Sequence, residues 1–154
     1  MLTEAITASL APGLALTAVI FYNTSLQNRF IWITGRMREV NREARAVGPD
    51  EQGRARLESL RRQVTLMARR ARIVRRAILT VYVALISVVL TILQLLLLAV
   101  AHPHGLEHLA VATFAFALCA MATAAILSWT ENFLSYRTIL EDVRSSFPDG
   151  AAAE

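Results

Sequence analysis

Several things are scarce in this chain of 154 residues. Cys119 is its one cysteine, so no disulfide within the chain can staple it. Lysine is absent, and all 16 basic residues are arginines. Gly 6 and Pro 4 are too few for a collagen-like or Gly/Pro-rich low-complexity chain. Charged residues make up 18% and hydrophobic ones 55%, whereas an ordinary soluble domain is about a quarter charged. Mean hydropathy is +0.45, which leans toward a membrane protein. Also missing are a nucleophile–base set, a glycine-rich phosphate loop and standard metal-ligand spacing. No enzyme and no cofactor are expected on that ground.

Charge is missing in long runs. The first uncharged stretch is Ala5–Asn28, with its apolar core at Ala5–Tyr22. The second is Ala77–Ala101 and the third His108–Thr130, with core Leu109–Trp129. A membrane-crossing helix needs about 20 apolar residues. The second run would cover roughly 37 Å at about 1.5 Å per residue, so it tilts or protrudes. Pro12 and Gly13 interrupt the first, and a re-entrant N-terminus with two full spans is the alternative there. That stretch carries Glu4 and no positive charge ahead of its apolar core, so it is expected to be a retained span rather than a signal peptide.

What charge there is has a position. Fourteen of the 16 arginines lie between Arg29 and Arg76, and the other two are Arg137 and Arg144. Basic residues mark the cytoplasmic side of short loops. The expected topology is therefore three spans, N-terminus outside and C-terminus cytoplasmic, in a plasma membrane. Its segments are a first membrane helix at 1–28, a cytoplasmic arginine-rich hairpin at 29–76, and a second membrane helix at 77–101. An outer His-rich loop at 102–108, a third membrane helix at 109–130 and a cytoplasmic helix and tail at 131–154 complete it. The pI of about 10.2 then reports orientation, and no nucleic-acid partner is expected.

The cytoplasmic stretch has a helical rhythm. Leu26, Phe30, Ile33, Met37, Val40 and Ala44 alternate steps of 4 and 3, as in a coiled-coil seam. Residues 46–53, AVGPDEQG, read as a turn. A second seam then runs from Leu57 and Leu60 through Val74 and Val81 to Leu95. It passes the membrane boundary without a slip, which predicts one long helix from about Arg54 to Ala101. Ile126, Trp129, Phe133, Tyr136, Leu140, Val143 and Phe147 form a third such seam. The fold class expected is all-α: three membrane helices extended into a cytoplasmic helical hairpin and coiled-coil bundle.

The runs LQNRF (Leu26–Phe30), GRMREVNRE (Gly35–Glu43) and RRARIVRRAIL (Arg69–Leu79) resemble the domain-of-unknown-function 2721 family of small bacterial membrane proteins. The resemblance covers most of the chain, from about Ala11 to Glu141. It implies a bacterial inner-membrane location and the same topology, and no catalytic residue.

Four constellations stand out. His102, His104 and His108 share one short loop with Glu107, a set suited to a metal ion or to sensing outside acidity; a solvated turn is the plainer reading. Arg69, Arg70, Arg72, Arg75 and Arg76 stand where anionic lipid head groups lie, or serve orientation and pairing with acids of the bundle. Thr80, Ser87, Thr91 and Gln94 form a neutral polar stripe on the second span, turned about 110° from the apolar seam at ~100° per residue. Thr17, Thr24 and Asn28 form another, with Thr3 and Thr7, on the first. These stripes line a pore in one reading and hydrogen-bond between helices in the other. Glu4 and Glu131 would then be rings at the two pore mouths, or simply interfacial residues.

Two function classes follow. One is a homo-oligomeric cation channel, because one protomer has too few helices to enclose a pore. Its partners are lipids, ions and copies of itself. The other is a non-conducting scaffold or adaptor that binds a partner through the cytoplasmic hairpin. The stripe at Thr80, Ser87, Thr91 and Gln94 discriminates between them.

Overall fold

The computed structural model describes residues 2–48, 50–101 and 105–146, and the side chains within these except those of 2–9, 11, 101, 135 and 137–146. All regular structure among them is helical: α1 (Leu2–Ala46), α2 (Glu51–Ala101) and α3 (Leu106–Ser146). At about 1.5 Å per residue these helices run roughly 60–75 Å, about twice the thickness of a bilayer core. α1 and α2 each join an apolar stretch to an arginine-rich one without a break, as their uninterrupted seams predict.

The first turn is shorter than the sequence suggests. Glu51, Gln52 and Gly53 belong to α2 rather than to the loop. Asp50 stands just before the helix and its carbonyl accepts from Arg54 N at 3.1 Å, while Glu51 sits favourably in the first turn. Gly53 is buried, and a Cβ there would collide with the Gly48 carbonyl oxygen. Gly105, at φ +89°, carries the chain into α3 through a conformation that favours glycine. His108 consequently lies in the first turn of α3, outside the loop that the sequence suggested. His102 and His104 lie outside the described residues.

α2 is the central helix, packed along α1 on one side and α3 on the other. Burial falls on seven-residue steps. In α1 the line is Pro12, Val19, Leu26, Ile33 and Val40. In α3 it is Ala110, Ala117, Ala124 and Glu131. α2 carries two lines, because it has two neighbours: Val74, Val81 and Val88, and beside them Ala77, Ala84 and Thr91. The first line is the expected seam. The second includes Thr91 of the polar stripe and runs beside buried Ser87, so the middle of that stripe faces protein within the protomer.

One seam is overturned. Ile126, Trp129, Phe133 and Tyr136 of α3 are 56–73% exposed, and Ala110, Ala117, Ala120 and Ala124 face inward instead. Small side chains let helix backbones approach closely, and large apolar ones are tolerated outside where lipid is the solvent. The same inversion holds along α2, where Leu79, Ile86, Leu90, Leu93 and Leu97 point outward. Among the described residues two helices are long and apolar enough to cross a membrane: 51–100, with a best-window hydropathy of 2.8, and 106–134, at 2.2.

Candidate functional site: a buried ion cluster joining three helices

Glu131 ends the uncharged run of α3 and continues its buried alanine line. Its side chain is 3% exposed. A carboxylate so far out of water needs partners. It has one from each of the other helices. Arg70 of α2 donates from Nε to Oε1 at 2.9 Å and brings Nη2 to the same oxygen at 2.8 Å. Arg29 of α1 holds Nη1 3.6 Å from Oε2, and donates from the same Nη1 to Asn132 Oδ1 at 2.7 Å. These four residues, with Trp32 and Ile33, line a cleft of about 160 Å³. Two guanidinium groups face one carboxylate, so the cluster carries a net +1.

The packing on the uncharged side of this cluster holds the three helices in register. Val19, Leu26, Ala77, Val81 and Ala124 form one apolar core across all of them. Tyr22 donates to the Ala124 carbonyl at 3.2 Å, and Gln27 donates to the Tyr82 hydroxyl at 3.0 Å. The cluster caps this core on its arginine-rich side. Beyond it the charges pair along single helices. Arg36 meets Glu39 and Arg62 meets Glu58, each at 2.6 Å and well exposed. The hydrogen bond and charge of Glu39 push the Arg36 guanidinium upward from its ordinary pKa.

The other sequence candidates separate. Ser87 and Thr91 are buried, and Thr80 is half-buried. Their hydroxyls donate to the carbonyls of Val83, Ser87 and Arg76 in their own helix, each at 2.9 Å. Thr17 and Thr24 donate to Gly13 O and Ile20 O, in exposed hydrogen bonds, and Asn28 is exposed. The α1 stripe thus faces away from the protomer while the α2 stripe faces into it; the two share no surface. Gln94 Oε1 is buried without a hydrogen-bond partner among the described residues, and so is Asn23 Oδ1. Arg69, Arg72, Arg75 and Arg76 are exposed, whereas Arg70 is drawn inward to Glu131. His108 is exposed, and no group of three His, Cys, Asp or Glu suited to a metal occurs among the described residues. The Glu4 side chain lies outside the described ones.

Sequence reading singles out Glu131 and Arg70 separately and passes over Arg29. A signal is present: a lone acid directly after one uncharged run, and the first arginine of the chain, Arg29, directly after another. Pairing them requires knowing which faces of α1 and α3 meet. No curated protein and no solved structure matches the chain. The model of the family described as "Protein of unknown function (DUF2721)" matches residues 9–140. These residues include all of the cluster, and the chain belongs to that family.

Proposed function

We propose that this is a three-span protein of a bacterial inner membrane, N-terminus outside, whose cytoplasmic hairpin is a docking arm for a partner protein. The observation that carries this reading is the state of the polar stripe. Each hydroxyl of Thr80, Ser87 and Thr91 is satisfied by its own helix backbone, and Glu131 is neutralised within the protomer. Neither feature needs a water-filled lumen. Past the ion cluster the helices run on for about 25–30 Å. There Leu57 and Leu66, both 43% exposed, lie on one open face of α2 with Arg54, Arg61 and Arg62, the last paired with Glu58. Leucines bordered by arginines suit an acidic amphipathic helix. The first span rests on α1 running antiparallel beside the apolar part of α2, and the orientation on the arginines. Exposed Arg69, Arg72, Arg75 and Arg76 support contact with anionic head groups.

A photo-crosslinker at Thr65 tests the arm. One defined adduct in cells, lost with Leu57→Glu, is the expected result; a smear or no adduct sinks the reading. A homo-oligomeric cation channel is the second reading. It is favoured by Gln94 and Asn23, whose buried carbonyl oxygens lack partners among the described residues and would be satisfied by water entering between the helices. Ion flux in liposomes that Gln94→Leu alters would establish it in place of the first.

A further inference from the structure

The cleft beside the ion cluster has the chemistry of an anion site. Arg29 is 42% exposed although it sits against a buried carboxylate. Its one close bond among the described residues uses Nη1, toward Asn132, and a guanidinium has five N–H donors in a planar fork that matches a phosphate. Arg70 is fixed by two contacts to one oxygen of Glu131, so its charge is held at the cleft without freedom to swing away. The excess +1 has no counter-charge among the residues that line the cleft. Trp32, 66% exposed, forms part of the same wall, and Trp129 is 73% exposed close by in sequence to Glu131. Exposed tryptophans are typical of the level where head groups meet hydrocarbon. The uncharged run of α3 also ends there, at Thr130.

From these observations we infer that Arg29, Arg70 and Asn132 form a binding site for the phosphate of an anionic phospholipid in the inner leaflet. Trp32 packs on the glycerol end, and Glu131 positions Arg70. This rests on the membrane topology proposed above and is independent of what the hairpin binds. It differs from general attraction to the exposed arginines at 69–76, because the site is one cleft with one stoichiometric ligand. A phosphate oxyanion from solution has the same chemistry, so the test must separate the two sources.

The experiment uses the full chain purified in mild detergent, with phosphatidylglycerol added and bound lipid counted by native mass spectrometry. The wild-type chain is expected to retain one phosphatidylglycerol in preference to phosphatidylcholine. Arg29→Gln should weaken that binding about tenfold, the size of one lost charge-assisted hydrogen bond. Arg29→Lys, which keeps the charge and loses the fork, should fall between. Arg72→Gln, on an exposed neighbour, should change it less than about twofold, the effect of a screened surface charge. Thermal unfolding of each variant confirms that it is folded. Equal loss in Arg29→Gln and Arg72→Gln, or no loss in either, overturns the site. Arg29-dependent binding of inorganic phosphate that displaces the lipid at millimolar concentration overturns the lipid assignment. Asp50→Cys in a Cys119→Ala background reports separately which side the hairpin occupies, so a failed topology is distinguishable from a failed site.

Discussion

A carboxylate that is 3% exposed keeps its charge only where guanidinium groups replace the water it has lost. Glu131 has two such groups of unequal quality. Arg70 is 21% exposed and lies at 2.8 Å; Arg29 is 42% exposed and lies at 3.6 Å. A double-mutant cycle should therefore give about 1–2 kcal/mol of coupling for Arg70–Glu131 and under about 0.5 kcal/mol for Arg29–Glu131, the latter being discounted for screening. Reversible unfolding in detergent measures both. Gln94 presents the opposite case, a buried amide oxygen without a partner among the described residues. Gln94→Leu removes a desolvated group, so it should leave stability unchanged or raise it by about 1 kcal/mol. A loss of more than about 1 kcal/mol would mean that the amide is paired in the assembled protein. At this scale the sequence shows which residues are ionisable and unusual, but it cannot show that Arg29 and Glu131, distant in the chain, are neighbours.

At the scale of the helix, glycines separate by what surrounds them. Gly35 sits mid-α1, and a Cβ added there would meet nothing within 4 Å. Gly35→Ala should stabilise by about 0.5–1 kcal/mol through backbone entropy. Gly53 is held against backbone at the α1–α2 turn. Gly53→Ala should cost more than about 1 kcal/mol, the penalty of overpacking, and a thermal-shift comparison of the two variants reads the opposite signs. The buried lines give a second contrast. Leu26 is 1% exposed and Leu97 53%. Leu26→Ala should cost about 2–4 kcal/mol, and Leu97→Ala under about 0.5 kcal/mol in detergent. The seams of α1 and α2 are legible because their arginine-rich halves meet water, where apolar residues must turn inward. The same argument fails for α3, where the outside is apolar: Trp129 and Phe133 gain nothing by facing the bundle, while alanines there let the helices close.

For the whole molecule the testable property is orientation. In a Cys119→Ala background, Asp50→Cys should react only with reagents on the cytoplasmic side, and Gly105→Cys only from outside. Labelling of both from one face would refute three spans. The helical class, the two long apolar spans and the passage of α2 from arginine-rich to apolar sequence are already written in the one-dimensional pattern of charge. On the proposed membrane reading that pattern is legible because a bilayer penalises charge by position along the chain, whatever the rest of the fold does. Which faces meet is a matter of three dimensions. Only packing puts α2 between its neighbours, turns its polar stripe inward while that of α1 faces out, and brings Arg29, Arg70 and Glu131 from three helices to one cleft. The reason is physical: in the proposed membrane setting hydrophobicity no longer distinguishes inward from outward, and steric fit with charge pairing decides instead.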